Sequence, residues 1–188
     1  PAITQNHDKL VFLWGPTRVG KSSLFKQWLS RKVCYLKNRD YKWFDGYIDQ
    51  PIIVVDEMKP NIFCSDYMNW NEWGDRQPST VEIKNGSVEL GNEWMIVISN
   101  YSLEELCTKR GKFDRVLYDT FKSRCGDRET GTFRIAKIHG IRNGETILSE
   151  YDHNNPKEVK RMLRRLFGPW FRDIIKYYPP EVKYAENM

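Results

Sequence analysis

Leu10-Val11-Phe12-Leu13-Trp14-Gly15-Pro16-Thr17-Arg18-Val19-Gly20-Lys21-Ser22-Ser23 decides the fold. The unbroken apolar run Leu10 to Trp14 reads as a strand buried on both faces, the kind found inside a parallel sheet. Gly15 to Gly20 reads as a loop. Lys21 to Arg31 reads as a helix, with Leu24, Phe25, Trp28 and Leu29 at helical spacing. Gly15 to Ser22 fits the pattern GxxxxGK(S/T), in which backbone N–H groups surround phosphate oxygens and the helix N-terminus adds its dipole. In this reading Gly15, Pro16, Thr17, Arg18, Val19, Gly20, Lys21, Ser22 and Ser23 hold ATP. Lys21 reaches the β- and γ-phosphates, and the Ser22 hydroxyl ligates Mg²⁺.

Two further apolar runs predict strands of the same sheet. Ile52 to Val55 ends in Asp56 and Glu57, and Trp94 to Ser99 ends in Asn100. Ligands of parallel sheets bind beyond the carboxyl ends of the strands. Gly15, Asp56 and Asn100 are therefore expected to converge on one edge. Asp56 is the expected Mg²⁺ acid, and Glu57 the group that orients and deprotonates the attacking water. Asn100 is placed to touch the γ-phosphate or that water. A cation supplied from a neighbouring subunit is expected at the γ-phosphate, with Arg124 preferred over Arg115 and Arg128.

The remaining elements follow from periodicity and turn chemistry. Cys34 to Leu36 reads as a short strand and Ser65 to Trp73 as a short helix with Asp66 near its start. Val81 to Leu90 reads as a hairpin turning at Asn85-Gly86. Phe113 to Phe121 reads as a helix with Phe113, Val116, Leu117 and Phe121 on its apolar face. Thr132 to Leu148 reads as a second hairpin turning near Asn143-Gly144. Pro156 to Ile175 reads as a closing helix broken or kinked at Gly168-Pro169. The expected class is α/β: a P-loop NTPase with a mainly parallel central sheet, flanking helices and a hairpin inserted before the last sheet strand. Residues 10–176 form the expected domain, between tails at 1–9 and 177–188.

Composition bounds the class. Of 188 residues, 40% are apolar and 29% charged, which places the chain among globular proteins. No window approaches the roughly 18 apolar residues of a membrane span, so no membrane partner is expected. Cys34, Cys64, Cys107 and Cys125 are widely spaced and lack a CxxC pair, which argues for free thiols in a reducing, intracellular setting rather than a zinc site. The net charge of +5 is compatible with a nucleic-acid partner and does not require one. Pro1 has no initiator Met before it, so the chain is expected to be a piece of something longer.

Lys42-Trp43-Phe44-Asp45-Gly46-Tyr47, followed by Ile52-Ile53-Val54-Val55-Asp56-Glu57, resembles the passage leading to the Walker B motif in Rep proteins of small circular single-stranded DNA viruses. Val81 to Val88 is similar to their B′ motif, and Ile96 to Asn100 to their motif C. The resemblance runs from about Leu10 to Leu117. It implies a superfamily 3 helicase domain of the AAA+ type, working in the host nucleus on single-stranded DNA as a homo-oligomer, usually a hexameric ring. It also implies that Lys84, on the B′ hairpin, contacts the DNA backbone. The chain departs from the pattern after Leu117-Tyr118, where Asp119-Thr120 stands in place of an arginine pair. His7, His139 and His153 form no HxH pair, so nicking and joining are not expected. No helical collar is read before Leu10, so this stretch alone is expected to be monomeric. Two other classes stay open: a P-loop kinase, and a nucleotide-dependent nucleic-acid-binding or assembly protein without helicase activity.

Overall fold

The computed structural model describes residues 2–16, 33–127, 131–138, 156–168 and 172. Thr17, Arg18, Val19, Gly20, Lys21, Ser22 and Ser23, the helix expected after them, Arg128, the Asn143-Gly144 turn and the tail after residue 176 lie outside the described residues.

The core is a five-stranded parallel sheet made of β1 (Leu10–Trp14), β2 (Cys34–Leu36), β3 (Ile52–Met58), β6 (Trp94–Ser99) and β9 (Ile135–Lys137). Its order is β2-β3-β6-β1-β9. The two strands on either side of β1 are β6, with Leu10 opposite Met95 and Trp14 opposite Ser99, and β9, with Phe12 opposite Ile135. Leu10 to Leu13, Ile52 to Val55 and every residue of β6 are buried, as uninterrupted apolar runs require when both faces of a sheet are covered. The mixed α/β architecture and parallel sheet expected from the sequence are present. Ile135 to Lys137, however, pair in parallel with β1. The other arm of the hairpin expected at Thr132 to Leu148 lies outside the described residues.

Short elements cover the sheet. A one-turn helix absent from the sequence reading, α1 (Pro60–Phe63), comes first, and of the helix expected at Ser65 to Trp73 only the last turn forms, α2 (Trp70–Trp73). Pro60 starts the first with its fixed φ. Asn69 starts the second by accepting the Glu72 N–H at 3.2 Å, and Asp66 falls in the turn between them. β4 (Thr80–Ile83) and β5 (Gly86–Glu89) form the expected hairpin. Ile83 pairs with Gly86, so the two-residue tip is Lys84-Asn85, one position earlier than Asn85-Gly86. Asn85 supplies the positive φ of 66°. After α3 (Leu103–Leu106), β7 (Thr108–Lys109) and β8 (Lys112–Phe113) form a hairpin absent from the sequence reading.

Next comes α4 (Arg115–Arg124). Phe113 is not on it, because the Asp114 carboxylate accepts the Leu117 N–H at 3.0 Å and sets the first helical residue at Arg115. Phe113 and Val116 are exposed, whereas Phe121 is fully buried. Its ring meets Phe12 at 5.9 Å, Phe63 at 5.0 Å and Trp70 at 5.6 Å between centroids, all edge-on. Burying one such ring stabilises by about 1.5–3 kcal/mol, and this one clamps α4 and both one-turn helices to β1. α5 (Pro156–Phe167) buries Leu163 and Phe167, and Gly168 follows at φ 54°. Part of the expected N-terminal tail packs on the domain: Asp8 and Lys9 are buried, and the His7 ring stacks on Trp94 at 3.9 Å. Among the described residues no helix is long and apolar enough to cross a membrane.

Candidate nucleotide and nucleic-acid site

The carboxyl ends of β1, β6 and β3 are tied together at Ser99. The Gly15 N–H donates to the Ser99 carbonyl at 3.2 Å. The buried Ser99 Oγ donates to the Met58 carbonyl at 2.8 Å and accepts the Tyr101 N–H at 2.9 Å. Gly15 is hemmed in here. A Cβ on it would lie 2.4 Å from the Ile138 carbonyl oxygen, so only glycine lets the chain leave β1 at this point. Pro16 follows and is exposed.

Asp56 and Glu57 do not follow β3, as the apolar run suggested, but sit inside it. Val55 pairs with Val97 and Met58 with Ser99, so the two acids oppose the single residue Ile98. This is a β-bulge, a device that re-aims side chains beside functional sites. Glu57 has φ 53°, a left-handed conformation that costs a non-glycine residue about 1–2 kcal/mol. The Asp56 carboxylate accepts the Glu57 N–H at 2.8 Å, and Arg39 lies 3.0 Å from Glu57 Oε2. Glu57 and Asn100 line one cleft of about 250 Å³ with Met58, Lys59 and Tyr101. The structure therefore brings Gly15, Asp56, Glu57 and Asn100 to one sheet edge. Lys59, a cation in the same cleft, was not singled out from the sequence. Its only signal there is its position two residues after Glu57.

Asp56 and Glu57 also line a second cleft, of about 380 Å³, with Lys37 to Asp40. Lys37 was missed by sequence reasoning because a lysine in a charged stretch reads as solvated. It is 4% exposed. Its Nζ donates to the carbonyls of Asn38 at 3.0 Å, Trp43 at 3.4 Å and Tyr41, and lies over the rings of Phe44 and Trp73. Burial still wins over these contacts and pulls its pKa down to about 8.

Lys84 stands exposed at the hairpin tip, its N–H donating to Asp45 Oδ1 at 2.7 Å. Arg124, preferred from the sequence as the cation acting on a neighbouring subunit, is instead engaged within its own chain. Its guanidinium lies 3.5 Å from Asp8 and 3.2 Å from Asp75, and donates to Asn71 Oδ1 at 2.7 and 3.0 Å. Helix α4 points this arginine back at the N-terminal segment. Arg115 is exposed, 3.9 Å from Asp119. Among the described residues no cluster of His, Cys, Asp and Glu is arranged to hold a metal by protein ligands alone, and the four thiols are free.

Residues 11–101 match the family model described as RNA helicase. The chain is 30% identical over 97 residues to the Replication-associated protein of Porcine circovirus 1, and 30% identical over 92 residues to that of Porcine circovirus 2. Over this stretch the chain is similar to Rep-like superfamily 3 helicase domains. The matches take in 48% and 46% of this chain but 28% and 26% of those relatives, so the chain spans little more than a quarter of either. The apo C-terminal region of NrS-1 aligns over 62% of this chain and 33% of its own, at 14% identity and a TM-score of 0.31, too slight a likeness to bear on the fold. The matched span contains Asp56, Glu57, Lys84 and Asn100.

Proposed function

We propose that this Rep-like domain is an ATP-driven DNA helicase of the AAA+ type, part of a viral replication initiator that unwinds DNA during rolling-circle replication in the host nucleus. The observation that carries this reading is the bulge in β3. It sets two acids side by side where the strand ends of Gly15 and Asn100 meet, at the cost of a strained Glu57. Strain of this kind persists where surrounding structure over-determines it, as at sites of chemistry.

The residues present fit ATP with Mg²⁺. Gly15 leaves β1 where no side chain has room, the setting a phosphate-binding backbone needs. Asp56 supplies the oxygen chemistry a hard cation takes, together with Ser22. Mg²⁺, when bound, would neutralise charge developing on the phosphate oxygens. Lys21 would hold the β- and γ-phosphates. Glu57 would accept the proton of the attacking water, and Asn100, on the same cleft, would fix that water or the γ-phosphate. In a homo-oligomeric ring exposed Arg115 is freer than Arg124 to reach a neighbour's γ-phosphate, because Arg124 is held at home. Lys84, at the tip of the β4–β5 hairpin, would contact the backbone of the single strand in the channel.

The test is phosphate release by the chain with and without single-stranded DNA. Hydrolysis stimulated by DNA, lost in Lys21→Ala and no longer DNA-responsive in Lys84→Ala, supports the reading. Phosphate transfer to a metabolite would replace it with a kinase, and nucleotide binding without turnover with an assembly protein. The family model's description as RNA helicase makes single-stranded RNA the comparison strand in the same assay. Stronger stimulation by RNA would move the substrate from DNA to RNA.

A further inference from the structure

The loop after β2 carries a second observation, independent of the catalytic edge. Residues 38–43 wrap around the Lys37 ammonium, whose bonds to three carbonyls fix the loop's path. The Phe44 N–H then donates to the Glu82 carbonyl at 3.0 Å, and the Asp45 carboxylate accepts the Lys84 N–H. The loop and the β4–β5 hairpin are thereby held as one surface. Between them lies a groove of about 470 Å³ lined by Tyr35, Asn38, Tyr41, Trp43, Asp45 and Lys84.

Its chemistry is specific. Tyr41 is 55% exposed, so its ring is open to solvent beside the groove. Trp43 is half-buried and carries the Lys42 ammonium 5.1 Å from its ring centroid. Lys42 is neutralised by Glu82 at 2.7 Å, whereas the Lys84 ammonium makes no ion pair among the described residues. Asp45 also lines the groove; its carboxylate is oriented by the Lys84 backbone N–H and forms no ion pair with the Lys84 ammonium. The groove thus offers flat aromatic faces beside one lysine ammonium that is held in no ion pair among the described residues. Aromatic faces stack on any base, and a lysine pairs with the phosphate between bases.

We propose that Tyr41 and Trp43 form a base-stacking platform for single-stranded DNA, taking an unpaired base against their rings while Lys84 holds the adjoining phosphate. This rests on the helicase reading and adds to it the part of the strand that is recognised. The shared chemistry is a nucleobase, which ATP also carries, so the experiment separates the two sources.

Binding of fluorescent oligo(dT), and of an abasic oligonucleotide of the same length, would be measured by polarisation on the full 188-residue chain. Tyr41→Ala is expected to weaken oligo(dT) about 10-fold, with the abasic strand unchanged, because only the former offers bases to stack. Tyr41→Phe keeps the ring and is expected to retain wild-type affinity, which separates stacking from misfolding of the loop. Lys84→Ala is expected to weaken both strands and to lower the salt slope by about 0.7. Oligo(dT) affinity unchanged in both Tyr41→Ala and Trp43→Ala would overturn the platform while leaving the helicase reading standing. So would Tyr41→Ala weakening a fluorescent ATP analogue instead of oligo(dT). A wild-type chain that binds no oligo(dT) at all would overturn both.

Discussion

Ser99 Oγ donates to the Met58 carbonyl at 2.8 Å, joining the end of β6 to the far side of the β3 bulge. The same oxygen accepts the Tyr101 N–H, and the Ser99 carbonyl takes the Gly15 N–H. One buried serine thus ties Gly15 to the ends of β3 and β6, its carbonyl holding Gly15 and its hydroxyl holding Met58 and Tyr101. Ser99→Ala removes no volume of consequence but leaves a carbonyl and an amide without partners. The expected loss is about 1–3 kcal/mol in urea unfolding, the cost of an unsatisfied buried group. ATP turnover should fall further than nucleotide affinity, since the change loosens the reacting edge rather than the phosphate nest. A variant as stable and as active as wild type would show that the bond organises nothing.

The proposed function gives the two acids of the bulge different work, which two substitutions separate. Glu57→Gln keeps shape and removes the proton acceptor, so hydrolysis should drop about 10²- to 10⁴-fold with ATP still bound. Asp56→Asn should instead abolish the Mg²⁺ dependence of nucleotide binding. Equilibrium binding with and without Mg²⁺, beside steady-state phosphate release, distinguishes them. Identical behaviour of the two variants would mean that the roles are not separate.

How far these residues were legible in the sequence depends on what each one's position rests on. β1 and β6 have the bounds their apolar runs suggest, because a strand buried on both faces can hold nothing else, and the short edge strand β2 matches as well although its Leu36 is exposed. The bulge was not legible: Asp56 and Glu57 read as the first residues past a strand, and nothing local says that pairing resumes at Met58. The burial of Lys37 was hidden for a different reason. Its partners are main-chain carbonyls and two rings, one of them Trp73, distant in sequence, and none leaves a compositional mark. Phe113 was misplaced because a single cap at Asp114 outweighs a two-residue extension of helical periodicity. Arg124 shows the same limit, since its partners Asp8 and Asp75 are brought to it only by the fold.

Lys37 predicts a pH dependence with a definite sign. Its pKa falls from 10.5 to about 8 on folding. Below about 8 it is charged in both states, and burying that charge is a constant cost. Between 8 and 10.5 the unfolded chain still holds the proton that the folded chain has released. The unfolded state then binds more protons, and stability rises with pH from this group. Other groups titrate in the same range: the raised thiol and phenol pKa values push the opposite way. The observable is therefore the difference between wild type and Lys37→Met. Wild type should gain on the variant, by on the order of 3 kcal/mol, between about pH 8 and 10.5 in paired urea titrations. A difference independent of pH would mean that Lys37 is not buried as described.

The thiols test the packing directly. Burial raises Cys34, Cys107 and Cys125 to about 12 and also raises Cys64, whose Sγ donates to the Leu106 carbonyl at 3.1 Å. Thiolate is the reactive form, so at pH 8 the native chain should react slowly at all four positions and rapidly in denaturant. Mass-resolved iodoacetamide labelling reads each site. Rapid native labelling of Cys125, buried at the C-terminal end of α4, would contradict the packing of that helix end.

Arg124 makes the final prediction, and it separates a structural arginine from one that acts across a subunit boundary. Asp8 is buried, and Arg124 lies 3.5 Å from it while also holding Asp75 and Asn71. Its own carbonyl accepts from buried Arg134, which also bonds the Asp8 and Leu10 carbonyls. Removing the Arg124 side chain leaves the Asp8 carboxylate buried with its cation gone. The expected cost is about 2–3 kcal/mol, below that of a wholly buried pair because Asp75 and Arg124 retain some solvent. Arg115 has exposed partners only, so Arg115→Ala should change stability by no more than about 0.5 kcal/mol. Activity should divide the other way in an assembled sample. Arg115→Ala subunits mixed into wild type should depress hydrolysis more than in proportion to their fraction, because each one spoils a neighbour's site. Arg124→Ala subunits that remain folded should depress it only in proportion. A stable Arg124→Ala chain that poisons mixed assemblies would return the intersubunit role to Arg124.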